Sequence, residues 1–327
     1  MYNIALFGAG RIGQVHAVNI ANHPETNLYS VIDPYDVNAN LLCDQYGAKR
    51  QSIEEAMADT SVDAVCICSA TDTHADLIEL GAKAGKTIFC EKPIDLDSSR
   101  VRDCLGVVEQ YKVPLLVGFN RRFDPHFANL KQRVVEGEVG DPATLTITSR
   151  DPEPPPAEYS KVSGGMFRDM TIHDLDMARF ILGEDPVSVT AHGSCKIDPE
   201  IGKAGDIDTG VIVLTFASGA IATIQNSRKS GYGYDQRIEL HGEKGMLQAE
   251  NVRENLISMT SDQGVECAKP LHFFLERYKE AYIAEWQHFV DILNGGKPNC
   301  SGIDGEFALR LADAAIESMN NKRTVFI

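Results

Sequence analysis

The hydrophobic pattern changes character about a third of the way along the chain. Over residues 1–120, short continuous apolar runs alternate with longer segments in which apolar residues recur every three or four positions. Continuous runs predict strands buried on both faces of a parallel sheet, and the longer segments predict helices. The runs lie at residues 3–8, 28–33, 63–68, 87–90 and 114–118. This alternation predicts an α/β fold that begins with a Rossmann-type, doubly wound parallel sheet over residues 1–120.

Beyond residue 120 the pattern predicts consecutive strands joined by hairpin-like turns. The strand candidates lie at residues 143–151, 186–194, 208–219, 220–228, 236–245 and 246–251. The helix candidates lie at residues 165–182, 273–293 and 307–319. We therefore predict a second, α+β domain over residues 121–327 with a large, mostly antiparallel open sheet. Its continuous apolar stretches suggest a sheet covered on both faces, and its closing helix can pack back on the first domain.

Composition and charge exclude several kinds of partner. The chain carries 47 acidic and 31 basic residues, a net charge of −16 at pH 7, so neither nucleic acid nor an anionic membrane is expected to bind. It holds no apolar run long enough to span a bilayer, and it begins directly with a strand candidate, so no signal peptide is expected. The eight scattered cysteines form no C-x-x-C pair, which is typical of reduced, mostly buried thiols in a cytoplasmic protein.

A glycine-rich turn follows the first strand candidate. Gly8, Gly10 and Gly13 stand in the segment GAGRIG, between that strand and a predicted helix. Here the first glycine permits a tight turn, the second lets a pyrophosphate approach, and the third lets helix and strand pack closely. Asp33 ends the second strand candidate, where an acid would bind the ribose hydroxyls and repel a 2′-phosphate. The pattern predicts a site that prefers NAD to NADP; a glycine turn without a ligand is the alternative.

A lysine follows the fourth strand candidate directly. Glu91, Lys92 and Pro93 come immediately after an apolar run that ends at Cys90. The carboxyl ends of the strands face the ligand crevice in a doubly wound sheet, so Lys92 is expected near the nicotinamide. A solvated loop lysine is the alternative interpretation.

The predicted helix at residues 165–182 carries a polar strip. On an α-helix, Asp169, His173 and Asp176 fall on one face, and apolar residues surround them on most other sides. Such a strip predicts a cavity, in which His173 can accept a hydroxyl proton, Asp169 can orient its ring and Lys92 can stabilise a developing alkoxide. A shared metal ion and a structural cap by Asp169 are the alternatives, and no metal is predicted. Asp176 is expected at the helix surface or in a supporting role.

Five segments, taken in order, resemble the Gfo/Idh/MocA oxidoreductase family. They are GAGRIG (8–13), TDTHADL (71–77), GKTIFCEKP (85–93), VGFNRRFDP (117–125) and SGGMFRDMTIHDLDMARF (163–180). Within the family, SRDP (149–152) and YGYDQRIE (232–239) resemble the inositol 2-dehydrogenase branch. The resemblance implies an NAD-dependent dehydrogenase that converts myo-inositol to 2-keto-inositol in inositol catabolism. It also implies a cis Lys92–Pro93 peptide and a homo-oligomer, a dimer or tetramer, formed through the C-terminal sheet.

The resemblance further implies roles for individual residues. The implied catalytic residues are Lys92, Asp169 and His173. The implied cofactor contacts are Gly8, Gly10, Arg11, Ile12, Gly13, Asp33, Ser69, Thr71, His74, Glu91 and Lys92. The implied substrate contacts are Asn120, Arg121, Arg150, Asp151, Asp169, His173, Tyr234 and Tyr282. Thr71 departs from the proline that relatives often carry.

Two other functions fit the same pattern. One is a dehydrogenase of the same family that acts on another polyol or on a sugar. The other is a dinucleotide-binding regulator without turnover, which the intact set of Lys92, Asp169 and His173 disfavours, because a binding module needs no proton relay.

Overall fold

Strands and helices alternate through the first 120 residues. The computed structural model describes the backbone of residues 1–327 and every side chain except that of Lys161. The elements are β1 (Tyr2–Phe7), α1 (Arg11–Asn22), β2 (Thr26–Ile32), α2 (Asp36–Tyr46), β3 (Lys49–Arg50), α3 (Ile53–Ala58), β4 (Ala64–Ile67), α4 (His74–Lys83), β5 (Thr87–Glu91), α5 (Ser98–Tyr111) and β6 (Leu115–Gly118). All five predicted strands are present.

The first sheet is parallel and has the order β3-β2-β1-β4-β5-β6. Every residue of β4 and β6 is buried, as expected for strands covered on both faces. Successive strands are added to one side of β1 as far as β3 and then to its other side from β4 onwards, so the ligand crevice of this fold lies at the carboxyl ends of β1 and β4. The sequence pattern missed β3, which consists of two exposed, charged residues.

Strands dominate the next part of the chain. The elements are α6 (Pro125–Val135), β7 (Pro142–Arg150), α7 (Ala157–Val162), α8 (Ile172–Leu182), β8 (Pro186–Ser194), α9 (Pro199–Lys203), β9 (Thr209–Phe216), β10 (Ile221–Ser227), β11 (Asp235–Gly242), β12 (Gly245–Ala249), β13 (Ser258–Ser261), β14 (Gly264–Cys267), α10 (Phe274–Arg277), α11 (Lys279–Leu293), α12 (Gly302–Asn321) and β15 (Val325–Phe326). The predicted helix at 273–293 is thus two helices, α10 and α11.

The second sheet has the order β12-β11-β7-β10-β9-β8-β15. All its neighbours are antiparallel except β7 and β10, which run parallel. Helix α8 packs on β7 and β10. The residues of β10 alternate between buried and accessible, so one face of this strand forms core and the other stays accessible in the single chain. The predicted fold class, a Rossmann sheet followed by an α+β region with a mostly antiparallel sheet, is confirmed.

The chain divides into two compact units. The first contains Met1–Asn120 and Ala281–Leu309, and the second contains Arg121–Glu280 and Arg310–Ile327. Within the first unit, the indole N–H of Trp286 donates to the hydroxyl of Thr26 at 3.2 Å. The continuous second domain predicted over residues 121–327 therefore needs correction, because α11 after its first two residues and the start of α12 belong to the first unit.

The hydropathy of the helices and the burial of the cysteines can be compared with what the composition led us to expect. Within the part of the chain that the structure describes, none of the helices combines the length and hydropathy that a bilayer crossing needs. Six of the eight cysteines are buried, whereas Cys195 is partly exposed and Cys267 is exposed. Mostly buried thiols were expected, and the structure confirms them.

Candidate active site

The turn between β1 and α1 is crowded on one side and open on the other. Gly8 has a φ of +96°, and a Cβ on it would lie 2.5 Å from the carbonyl oxygen of Cys68. A Cβ on Gly13 would lie 2.0 Å from the carbonyl oxygen of Gly8. A Cβ on Gly10, by contrast, would meet nothing within 4 Å. The open side lies at the N-terminus of a twelve-residue helix, where backbone N–H groups and the helix dipole favour a pyrophosphate.

The carboxylate of Asp33 braces this turn. Asp33 directly follows β2, and its Oδ2 accepts a hydrogen bond from the Ala9 N–H at 2.6 Å. Its Oδ1 accepts from the Tyr35 N–H at 2.7 Å. At the end of the second strand of a Rossmann sheet, such a carboxylate meets the ribose of a dinucleotide. Arg11 and Ile12, also predicted to contact the cofactor, are the first two residues of α1.

We expect Asp33→Asn to lower the preference for NAD over NADP by about tenfold or more, a change of about 1.4 kcal/mol. The amide keeps an acceptor oxygen for the turn, but it removes the negative charge that repels a 2′-phosphate. The measurement is kcat/KM with each nucleotide. Asp36→Asn, which neutralises an exposed carboxylate three residues further on, is the matched control. An unchanged ratio in Asp33→Asn would show that another group sets the preference.

Three of the predicted cofactor residues follow β4: Ser69 and Thr71 lie in the loop, and His74 is the first residue of α4. His74 is 2 % exposed; its Nδ1 lies 2.8 Å from the carbonyl oxygen of Pro93, and its Nε2 lies 3.1 Å from that of Ser69. Both ring nitrogens therefore face backbone carbonyls, and the imidazole ties this loop to the turn after β5. Ser69 and Thr71 are partly exposed.

Lys92 leaves the sheet at the same edge as the glycine turn, because β1 and β5 run parallel within one sheet. Glu91, the last residue of β5, is buried, and Lys92 is half-buried. The Lys92–Pro93 peptide is cis, which confirms that prediction. The lysine, the glycine turn and Asp33 thus all follow carboxyl ends of strands in the first unit.

The polar strip of the second unit begins in a π-helical turn. The structure is π-helical over Phe167–Thr171, and α8 starts only at Ile172. The prediction of one regular α-helix over residues 165–182 is therefore wrong in its first turn. Asp169 lies in the wider π turn, so the ideal α-helical angle between Asp169 and His173 does not apply. Single π turns are frequent at functional sites.

Asp169 belongs to a cluster of charges around Arg228, a residue that is 3 % exposed. The guanidinium of Arg228 donates from Nη2 to Asp169 Oδ2 at 3.0 Å and from Nη1 to Asp151 Oδ2 at 3.4 Å. The Tyr159 hydroxyl donates to Asp169 Oδ1 at 3.2 Å. One planar, permanently charged group thus holds two carboxylates. No motif or spacing in the sequence indicated Arg228.

The cluster has a group that titrates close to neutral pH. Burial raises the pKa of Asp151 to about 6; Arg228 opposes this shift, and the neighbouring Asp169 adds to it. A carboxyl whose pKa lies near 6 can gain or lose a proton under ordinary assay conditions. An apparent pKa measured for any reaction at this cluster would therefore describe several coupled groups and not one residue.

His173 is half-buried on α8, and two fully buried aspartates, Asp174 and Asp176, follow it on the same helix. Asp174 is paired with Arg121, and Asp176 accepts from the guanidinium of Arg122 through both its oxygens. We expected Asp176 either at the helix surface or in a supporting role. The structure shows that it is not at the surface, because it forms a buried ion pair with Arg122. Of these three side chains, the imidazole is the one that remains accessible.

The other predicted substrate residues lie in different surroundings. Arg150 is paired with Asp235 at 3.1 Å, and Tyr234 is 6 % exposed. Asn120 is 3 % exposed and is the last residue of the first unit's N-terminal segment. Tyr282 is 6 % exposed and also belongs to the first unit. Within the second unit, the structure brings together Asp151 and Asp169 through Arg228.

Two long segments match models of one enzyme family. Residues 2–119 match the oxidoreductase family with an NAD-binding Rossmann fold, and residues 127–248 match the GFO/IDH/MocA C-terminal domain. The chain is 52 % identical over 324 residues to the inositol 2-dehydrogenase of Rhizobium meliloti (strain 1021), and the aligned region covers 98 % of each protein. It is 46 % identical over 325 residues to the myo-inositol 2-dehydrogenase of Thermotoga maritima, covering 98 % of this chain and 97 % of that protein.

The chain belongs to the GFO/IDH/MocA oxidoreductase family. A solved structure of scyllo-inositol dehydrogenase from Lactobacillus casei, with bound cofactor NAD(H) and scyllo-inositol, matches it with a TM-score of 0.92 at 30 % identity. The match covers 100 % of this chain and 99 % of that one. The predicted enzyme class and the predicted cofactor, NAD, are confirmed, and the open glycine turn and Asp33 fit that cofactor.

Proposed function

We propose that this GFO/IDH/MocA enzyme oxidises one ring hydroxyl of an inositol, with myo-inositol as the substrate and 2-keto-inositol as the product. The observation that carries the proposal is the cluster in which Arg228 holds Asp169 and Asp151, with the accessible imidazole of His173 four residues after Asp169. Close relatives named for inositol oxidation support the substrate class. A cyclitol presents many hydroxyl groups, and such a cluster offers charged hydrogen-bond partners for them.

NAD, when bound, supplies the hydride acceptor. In the proposed reaction, His173 accepts the proton of the reacting hydroxyl as a general base. Asp169 orients the imidazole and stabilises its cationic form. Lys92 donates a hydrogen bond to the substrate oxygen and stabilises the negative charge that develops there. Arg228 donates a hydrogen bond to Asp169 and holds that side chain in place with a permanent positive charge.

The assembly and location of the enzyme stay predictions. In the single chain, several apolar side chains of the second sheet are 40 % or more exposed, among them Val187 at 42 %, Val211 at 43 %, Ile221 at 42 % and Met246 at 49 %. These positions support the predicted homo-oligomer, a dimer or tetramer that covers the sheet with a second copy. The expected compartment is the cytoplasm, where a reduced set of buried thiols is typical.

A substrate panel tests the proposed function. Purified enzyme is offered myo-inositol, scyllo-inositol and glucose, each with NAD and with NADP, and formation of reduced nucleotide is followed. We expect turnover with myo-inositol and NAD, and little turnover with glucose. Faster oxidation of glucose than of any inositol would favour the sugar dehydrogenase alternative. NAD binding without turnover on any member of the panel would contradict the proposal.

A further inference from the structure

Three ionisable side chains meet inside the first unit, and one of them, Glu91, directly precedes Lys92. His16 comes from α1, Glu91 from the end of β5 and Glu285 from α11, and each places one nitrogen or oxygen within 4.8 Å of the others. His16 and Glu285 are fully buried, and Glu91 is 8 % exposed. Nε2 of His16 lies 2.8 Å from Oε1 of Glu91. We refer to His16, Glu91 and Glu285 as the buried trio.

The walls of the buried trio are aromatic or tightly packed. The ring centroid of His16 lies 4.6 Å from that of Phe89 and 6.4 Å from that of Trp286. Glu91 is paired with Gly118 on β6, and a Cβ on that glycine would lie 3.1 Å from Oε2 of Glu91. A side chain at this position would crowd the carboxyl group. These surroundings have a low capacity to stabilise charge.

Glu285 has unusual surroundings for a charged residue. Among the described residues, none forms a hydrogen bond with either of its carboxyl oxygens. Burial, and then the nearby Glu91 and Cys66, raise the pKa of Glu285 well above its ordinary value. Burial also raises the pKa of the Cys68 and Cys90 thiols, which keeps these neighbours of Glu91 neutral. An isolated carboxylate in such a place takes up a proton or binds a cation.

We propose that Glu285 is a positioning residue, held as a neutral carboxylic acid, that leaves the hydrogen bond between His16 and Glu91 undisturbed and so fixes the Lys92 turn to helix α1. Helix α1 begins at the glycine turn, and Glu91 immediately precedes Lys92, so the contact between His16 and Glu91 links the two loops. An ionised Glu285 would compete with Glu91 for the proton on the imidazole. The role assigned to Lys92 rests on the proposed function, whereas the protonation of Glu285 does not.

Glu285→Gln tests the protonation, because the amide has the shape of the neutral acid and cannot ionise. The carboxyl of the folded protein keeps its proton above its ordinary pKa of 4.5, whereas the unfolded chain releases it. The unfolding equilibrium constant of the wild type should therefore rise with pH relative to that of the variant, by up to about tenfold per pH unit. Infrared difference spectra should show a protonated carboxyl band that Glu285→Gln lacks. Glu280→Gln, at an exposed position of the same helix, should keep both wild-type signals.

Turnover tests the positioning role. We expect Glu285→Gln to keep kcat within about twofold of the wild type. Glu285→Ala should lower kcat by about tenfold or more with little change in NAD affinity, because alanine leaves a cavity into which the His16 ring can turn away from Glu91. Wild-type turnover in Glu285→Gln would show that an uncharged group of this shape is sufficient, and this result remains readable if the alanine variant fails to fold. Wild-type kcat in folded Glu285→Ala would overturn the positioning role.

Two results would overturn the protonation itself. One is an identical pH dependence of stability in the wild type and Glu285→Gln, together with identical infrared spectra. The other is a stoichiometric divalent metal in the purified wild type, measured by mass spectrometry and lost in Glu285→Gln, which would make the trio a cation site. These measurements do not depend on turnover. If the inositol panel contradicted the proposed function, they would still show whether Glu285 is protonated.

Discussion

His173→Ala is expected to lower kcat for inositol oxidation by about 10²–10⁴-fold, the usual contribution of a general base. The imidazole of His173 is accessible, whereas Asp174 and Asp176, which follow it on α8, are fully buried, and alanine offers no proton acceptor in its place. NAD affinity should stay near that of the wild type, because the glycine turn and Asp33 belong to the other unit. The measurement is kcat at saturating inositol and NAD, with NAD affinity determined separately by titration.

His126→Ala is the matched control for this experiment. His126 is exposed on α6 in the same unit, and its side chain has no part in the proposed reaction. Its removal should leave kcat within about twofold of the wild type. If His173→Ala also turned over within a factor of a few of the wild type, another group would accept the proton, and the polar strip would be structural.

Regular, buried elements of the fold were predictable from local sequence. The continuous apolar runs of the first sheet and six of the seven strands of the second sheet were found. The missed strands are short: β3 and β15 have two residues each, and all eight residues of β13 and β14 are exposed. Such strands bury little surface, so they leave no hydrophobic period in the sequence.

The residues expected at the cofactor were predictable because they come directly after strands. Gly8, Asp33 and Lys92 each come directly after a strand of one parallel sheet, so their shared edge follows from topology alone. The π turn at Asp169 was not predictable, since it depends on packing and carries the same apolar pattern as an α-helix. The sequence did not indicate a role for Glu285 either, because this residue lies on a helix that is far along the chain from the rest of the first unit.

Arg228 could have been found only with the pairing of strands in hand. β7 and β10 run parallel with Arg150 opposite Ser227, so Asp151 and Arg228 leave the sheet side by side. The Asp151 N–H donates to the carbonyl oxygen of Ser227 at 2.9 Å. The hydrophobic pattern predicted both strands but not that they are neighbours, and the parallel pair is the exception in this sheet. Long-range pairing of this kind decides which polar residues meet.

Arg228→Met should be the most destabilising of the substitutions considered, with a loss of about 3–5 kcal/mol in the free energy of unfolding at pH 8. The change leaves Asp169 and Asp151 without the cation that holds them. Because Arg228 lowers the pKa of Asp151 against the effect of burial, that pKa should rise further above about 6 in the variant. Protonation removes the uncompensated charge, so the loss of stability should shrink as the pH falls from 8 to 5. Urea unfolding at both values measures this difference.

Arg228→Lys and a double variant separate charge from geometry. Lysine restores one positive charge but not the planar fork that reaches both carboxylates, so its stability should lie between those of the wild type and Arg228→Met. Adding Asp151→Asn to Arg228→Met should recover part of the loss, because only one buried carboxylate then lacks a partner. Arg133→Met, which breaks an exposed ion pair with Glu138, should cost no more than about 1 kcal/mol and should not vary with pH in this way. A loss in Arg228→Met that stayed constant between pH 5 and 8 would mean that the arginine stabilises the fold by packing and that the ionisation of Asp151 does not depend on it.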